Sequence, residues 1–251
     1  MMKLGMLSIA AAALLSGCVI YVGNGHAGDR QHEQRNLSLS ADNLNRLVAD
    51  TGAGKLDIIG EEGRELIELQ ASIHYYDSED IRLSLVRRGS DAVLEAGFAS
   101  SIHNGNSPYI DVVLRVPARL AVTLDDGSGD IDISGMQGDL TIEDGSGALR
   151  LSGGNNASVV DGSGDLLISQ LRGNLVLEDG SGNADIRQIR GSVTVEDGSG
   201  DLMLSDIGGL VTVDDGSGDI NINGAGGLTI VASGSGGLKI NAINGPVKIN
   251  D

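Results

Sequence analysis

The sequence predicts an all-β fold, a single parallel β-solenoid built from 18-residue coils. Three observations carry that prediction. The tetrapeptide Asp-Gly-Ser-Gly begins at Asp126, Asp144, Asp161, Asp179, Asp197 and Asp215, and Ser-Gly-Ser-Gly begins at Ser233. The steps are 18, 17, 18, 18, 18 and 18 residues. A fixed period near 20 marks a solenoid, whose units bury their apolar faces only by stacking. Between the corners apolar and polar residues alternate with period two, the signature of a strand with one buried face. Finally, 40% of the chain is hydrophobic but only 2% aromatic, with no Trp, one Phe and four Tyr, so the core is aliphatic, thin and repeated.

Five residues after the first residue of each corner stand Ile131, Leu149, Leu166, Ala184, Leu202, Ile220 and Leu238. Two residues further stand Ile133, Leu151, Ile168, Ile186, Leu204, Ile222 and Ile240. A third file runs through Met136, Leu171, Ile189, Ile207, Ala225 and Ile243; the second coil lacks it because Gly153-Gly154-Asn155-Asn156 carries the one-residue deletion. The second half of each coil supplies Leu140/Ile142, Leu175/Leu177, Val193/Val195, Val211/Val213 and Val247/Ile249. The alternation turns the residues between them (Asp132, Thr141, Arg187, Thr194, Asn221, Lys248) to solvent. Each coil is nearly two nonapeptides, which implies a flattened tube of two parallel sheets joined at Gly corners, where positive φ is needed. Seven coils, residues 126–251, stacked at about 4.8 Å give a tube about 34 Å long. In the last coil Lys239, Pro246 and Lys248 are expected to protect the open edge. Residues 41–125 read as earlier, irregular coils and a cap of the same tube: Arg46 to Ile59, Glu65 to His74, Ile81 to Val86, Ala92 to Ala96 and Ile110 to Leu124 alternate or run apolar. A distinct small β-domain is the alternative there.

The N-terminus reads as an address. Met1 to Leu15 holds one Lys and a short apolar run, shorter than the about 20 residues of a membrane-spanning helix and suited to a secretory signal. Leu15-Ser16-Gly17-Cys18 resembles the bacterial lipobox. The resemblance implies that residues 1–17 are a lipoprotein signal peptide and that Cys18, the chain's one cysteine, is lipidated as the new N-terminus. It also implies several acyl chains on Cys18, each buried methylene contributing about 0.8 kcal/mol, and Val19 as a residue permissive for the outer membrane. Residues 18–40 then read as the lipidated Cys and a flexible tether, the polar stretch Gly23 to Asn36 being the leash. A single Cys excludes an intramolecular disulfide.

The stretch Val112 to Ile133, VVLRVPARLAVTLDDGSGDIDI, with the Gly-Ser-Gly-Asp and Gly-Asp-Leu segments repeated after it, is similar to the bacterial putative-adhesin family. These are exported domains of unknown function, related to head-GIN adhesin domains. The resemblance covers Leu44 to Asp251. It implies a right-handed parallel β-helix, and it brings neither catalytic residues nor a cofactor.

Chemistry is scarce. The net charge of −18, from 17 basic and 35 acidic residues, argues against a nucleic-acid partner. The corners align Asp126, Asp144, Asp161, Asp179, Asp197 and Asp215, with a second file Asp130, Asp165, Asp201 and Asp219; Glu143, Glu178, Glu196 and Asp214 stand just before the corners. As a ridge these files would attract cations weakly. As turn formers their carboxylates would accept backbone N–H groups two residues on, and that reading is preferred over a specific metal site. The calcium β-roll has the same coil length, but where its repeat requires Asp this chain has Ile131, Leu149, Leu166, Leu202 and Ile220. The residues Arg150, Arg172, Arg187 and Arg190 are scattered, His74 and His103 stand alone, and no Ser-His-Asp set, zinc spacing or phosphate loop occurs. Tyr21, Tyr75, Tyr76, Phe98 and Tyr109 all precede the first corner, so a specific epitope is expected on the Tyr75-Tyr76 or Phe98-to-Tyr109 loops unless these residues pack the cap. The expectation is a non-enzymatic, lipid-anchored envelope β-solenoid, an outer-membrane lipoprotein that is periplasmic or surface-exposed. Its role is binding, adhesin-like, or that of a spacer, and its partners are the membrane and an envelope or cell-surface protein or polysaccharide. The alternative is a β-helical carbohydrate-active enzyme of the lyase or hydrolase kind.

Overall fold

The computed structural model describes residues 18–21, 30–76, 78–99 and 107–250. The signal-peptide reading of residues 1–17, residues 22–29 of the leash and His103 lie outside them. In chain order the strands are β1 (Cys18–Tyr21), β2 (Gln31–Ser40), β3 (Arg46–Ala53), β4 (Leu56–Glu61), β5 (Leu66–Tyr75), β6 (Ile81–Arg88), β7 (Asp91–Phe98) and β8 (Tyr109–Pro117). The coils follow as strand pairs: β9 (Ala121–Ser128) and β10 (Ile131–Met136), β11 (Leu140–Asp144) and β12 (Leu149–Gly153), β13 (Ala157–Asp161) and β14 (Leu166–Ser169), β15 (Leu175–Asp179) and β16 (Ala184–Ile189). Next is β17 (Val193–Asp197), then β18 (Leu202–Asp215) and β19 (Ile220–Ala232), which run unbroken through the second corner, and finally β20 (Leu238–Ile243) and β21 (Val247–Ile249).

The fold is the all-β solenoid. Each strand pairs in parallel with the strand one coil away: Leu140 with Ala157, Ala157 with Leu175, Leu175 with Val193 and Val193 with Val211 on one face. On the other face Ile133, Leu151, Ile168, Ile186 and Leu204 form one file, each at most 1% exposed. The alternation therefore reads out directly as an inside and an outside. At the second corner the deletion leaves Gly154, and a Cβ there would strike Leu140 Cδ1 at 2.7 Å and Leu171 Cδ2 at 3.1 Å; the adjacent leucines fill the missing residue's place.

Residues 41–125 hold one full coil of the tube and the strands around it, and they do not stack in chain order. Strands β3 and β4 form one full coil, and it lies directly against β9 and β10, with Thr51 beside Asp126 and Leu56 beside Ile131. Strands β7 and β8 lie on the far side of that coil, parallel to β3 and β4. Antiparallel strands then close the tube: β6 on β7, and β5 on β8. The strand β2 pairs antiparallel with β5 over its whole length, and β1 pairs with β2. Gln31 to Ser40 is thus sheet, not tether. Its polar composition is that of a strand whose outer face meets water while Leu37 and Leu39 face in. At the other end of the tube Leu238, Val247 and Ile249 are 36%, 52% and 45% exposed: the lysines flank the last described coil without covering it.

The corners dictate the spacing. At Gly182 φ is +144°, and an added Cβ would lie 1.7 Å from the carbonyl oxygen of Gly164 in the preceding coil. Gly182→Ala is expected to destabilise the tube by more than about 4 kcal/mol, whereas Gly63→Ala, with nothing within 4 Å, should cost only the positive-φ penalty of about 1–2 kcal/mol. Likewise Ile168→Asp places an unpaired carboxylate in a fully buried file, while Thr194→Asp, on the outer side of β17, should be nearly neutral. Urea unfolding of the four variants checks both contrasts. Equal losses within either pair would contradict the register.

Candidate functional site

The first corner carries three carboxylate files with different fates. In β11 the alternation that buries Leu140 and Ile142 also buries Asp144. The same parity holds in every coil, so Asp126, Asp144, Asp161, Asp179, Asp197 and Asp215 point into the tube, each 2–6% exposed. The expected ridge is therefore an interior file. The turn-forming role is also present: the backbone N–H groups of Ser146, Ser181 and Ser199 donate to Oδ1 of Asp144, Asp179 and Asp197 at 3.0–3.1 Å. Oδ2 of these three aspartates has no partner, and Asp161 and Asp215 have neither oxygen bonded. At the head of the file the Thr51 hydroxyl donates to Asp126 Oδ1. Consecutive members are paired in register, about 4.8 Å apart. Two ionised carboxylates at that distance repel by about 3–4 kcal/mol at an effective dielectric near 20. Burial pushes all six above the usual carboxylate range, with repulsion from stacked neighbours adding to it in Asp126, Asp161 and Asp197. Asp126 and Asp161 are raised to about 7 and Asp197 to about 6.

The residue just before each corner faces out, and register aligns Glu95, Asp50, Asp125 and Glu143, then Glu178, Glu196 and Asp214, with Val160 between the two runs. These side chains are exposed, and Val160, Glu178, Glu196 and Asp214 line a shallow groove whose floor includes Asp161, Asp179 and Asp197. The third file is spent on the backbone. Oδ1 of Asp130, Asp165, Asp201 and Asp219 accepts the N–H of the residue one coil on, at 2.7–3.2 Å, and Asn183 substitutes for Asp in the same chain of bonds. Among the described residues no group of three or more His, Cys, Asp or Glu side chains is placed to hold a metal ion.

An equivalent ladder at the second corner was not anticipated from the sequence. Asp139 Oδ1 accepts Asn156 N–H, Asn156 Oδ1 accepts Asn174 N–H, Asn174 Oδ1 accepts Ser192 N–H, and Ser192 Oγ accepts Leu210 N–H. The signal was present: short polar side chains at a fixed 17–18-residue step, of the types that cap backbone donors.

Away from the coils, the outer face of β2, β5 and β8 holds the most varied side chains. Register places His32, His74 and Tyr109 side by side; the imidazoles stack at 4.5 Å, His74 stacks on Tyr109 at 4.4 Å, and the Arg30 guanidinium lies 5.7 Å from the Tyr109 ring centre. His74 is thus not solitary, and burial lowers its pKa. Ser72 Oγ lies 2.8 Å from His32 Nε2. The carboxylate across from Ser72, Asp111, accepts the Lys55 backbone N–H. Beside the column, Asn36, Ser38, Glu68, Gln70, Val113 and Arg115 line a depression. Of the other aromatics, Tyr75 is 3% exposed and Phe98 packs against the core, so these two serve the cap.

Comparison with known proteins agrees with this architecture. The model of the Toastrack DUF4097 family matches residues 98–243. No curated protein matches the chain. The fold is similar to that of a crystal structure described as a putative adhesin from Bacteroides fragilis, with a TM-score of 0.55 and 14% identity, over 90% of this chain and 100% of that one. A second, described as a putative adhesin from Parabacteroides merdae, gives a TM-score of 0.50 and 13% identity over 94% and 96% of the two chains.

The side-chain ladders make a specific forecast. Asn174→Ala removes the acceptor for Ser192 N–H and is expected to cost about 1 kcal/mol, whereas Asn174→Asp, which keeps an acceptor oxygen as Asp139 does, should retain most of the stability. Urea midpoints that rank the two variants the other way would contradict the ladder's role.

Proposed function

Starting from the premise that the chain belongs to the Toastrack DUF4097 family, we propose that it is a lipid-anchored cell-envelope β-solenoid that acts as a non-catalytic binding module. In this reading Cys18, which pairs with Asn36 of β2, carries the anchor at the same end as the binding face, and the regular coils extend from that end as a stiff body. The outer face of β2, β5 and β8 is the binding surface, and its ligand is an envelope or cell-surface protein or polysaccharide. One observation carries the reading. The repeated polar side chains at both corners bond to the next coil's backbone, whereas Gln34, Asn36 and Gln70 stand exposed on the antiparallel face beside the His-Tyr column. Amide, hydroxyl and carboxylate groups around a stacked aromatic column suit a polar, hydroxyl-rich or peptide ligand. The adhesin descriptions of the two structural neighbours agree with it. No helix among the described residues is long and apolar enough to cross a membrane.

Three measurements test the proposal. Cys18→Ser should accumulate as unprocessed precursor without acyl label; cleavage before residue 18 and normal acylation would defeat the anchor. The wild-type chain should retain a component of envelope extracts that the double variant Gln70→Ala, Tyr109→Ala does not. Saturable depolymerisation of an envelope polysaccharide, abolished by one carboxylate or arginine substitution, would establish the carbohydrate-active enzyme instead.

A further inference from the structure

We infer that the file Asp126, Asp144, Asp161, Asp179, Asp197 and Asp215 is a proton-binding site, in which stacked carboxyls share protons in mildly acidic conditions and give them up as the pH rises through neutrality. The geometry leaves few other ways to satisfy it. All six side chains are more than nine-tenths buried, and each has at least one oxygen with no hydrogen-bond partner. Every unpaired oxygen belongs to a residue with a carboxyl or a hydroxyl one coil above and one coil below. Thr51 closes the upper end, and the 18-residue step places Ser233 under Asp215. A protonated carboxyl is the one form of Asp that can donate to such a neighbour, so one proton satisfies an acceptor in each of two coils. Asp144 and Asp161 stand directly opposite each other on adjacent strands.

The cation at this corner, Lys55, stands on the solvent side beside Asp130 and is paired with Asp57 at 2.8 Å, so it is not spent on the interior file. The charged groups that act on the file are all carboxylates: Asp125 on Asp126, Asp130 on Asp144, and Asp214 on Asp215. Glu143, Glu178 and Glu196 stand next in the chain on the outward side of the same strands. Asp50 and Glu95 continue that outer file above. Arg150 and Arg187 lie on the solvent side of β12 and β16, on the other sheet, and Arg172 and Arg190 lie at the opposite corner.

The pH dependence follows by linkage. Burial raises the folded pKa of these groups, to about 7 for Asp126 and Asp161 and about 6 for Asp197, whereas an unfolded Asp titrates near 3.9. Between those limits the folded state holds more protons than the unfolded one, so the contribution is fully present below about pH 4 and is lost as pH rises through about 6–7.

The test is urea unfolding of the full chain at pH 5 to 8, at fixed ionic strength and in EDTA. The midpoint should fall as pH rises. Asp161→Asn should raise the midpoint at pH 8 and lower proton uptake on folding near pH 6 by up to about one proton. Glu178→Gln, which removes the same charge from the outer file, should leave the pH slope unchanged. Infrared spectra of the wild-type chain at pH 7 should show the carbonyl stretch of protonated carboxyl groups, a readout that stands even if a variant fails to fold. The inference is overturned by an unchanged slope in Asp161→Asn, by the absence of that band, or by unfolding in EDTA that calcium reverses, which would put metal ions in the file.

Discussion

Everything in this molecule depends on how closely one coil's corner passes over the next. At the first corner each second glycine lies under the carbonyl of its counterpart one coil earlier, and an added Cβ at Gly147, Gly164, Gly182, Gly200 or Gly218 would sit 1.6–1.8 Å from that oxygen. The same approach lets the N–H of the first glycine bond the carbonyl of the aspartate one coil back, as Gly145 does to Asp126 and Gly180 to Asp161 at 2.9 Å. Close approach fixes the step, the step fixes the register, and the register sorts every side chain into a file. Once that is set, an aliphatic residue need only match its neighbours above and below, which is why Leu, Ile, Val and Ala suffice and aromatic residues are dispensable.

The same register that makes the core inexpensive makes the corner difficult. A repeat copies its advantages and its conflicts alike, so one inward aspartate becomes six. The chain resolves its other polar corner groups by spending them on the backbone: the Asp130 and Asp139 files each stitch one coil to the next through donors that the turns leave open. The interior file has no such outlet for its second oxygen. Three of its members, Asp144, Asp179 and Asp197, cap the turn by accepting a backbone N–H on one oxygen, which is the Asx-type role that suits Asp at the residue before Gly-Ser-Gly.

Much of this was legible in the sequence, and the failures have physical causes. Period and alternation announced the solenoid and the inward files, because both are properties of a single coil multiplied. The inward position of Asp144 was legible too, since it follows Leu140 and Ile142 with the same parity. Its identity as a good turn former drew it outward in the reading, although a residue can cap a turn and still point into the core. By contrast, nothing local in Arg46 to Glu61 says that this coil packs against residues 121–136 and not against the strand that follows it in the chain. Alternation defines faces and leaves strand neighbours open. Gln31 to Ser40 was misjudged for a related reason: an antiparallel strand with a wet outer face can be as polar as a linker, and Leu37 and Leu39 were the only hints of its inner side.

The proposed binding role falls at the N-terminal end for a reason that lies in the register. In the coils every position is constrained by its copy 18 residues away, so a side chain that suits a ligand must also suit a stack, and the outer files drift towards runs of like residues such as Glu178 and Glu196. Strands β2, β5 and β8 are freed from that rule. Their antiparallel register brings together residues far apart in the chain, such as His32, His74 and Tyr109, and the result is a surface whose neighbouring positions differ. The tube gains rigidity from repetition. The two patterns are separated along the axis of one molecule: in the stack the Asp130 and Asp139 files are spent on the next coil's backbone, and at the closed end residues distant in the chain share one face.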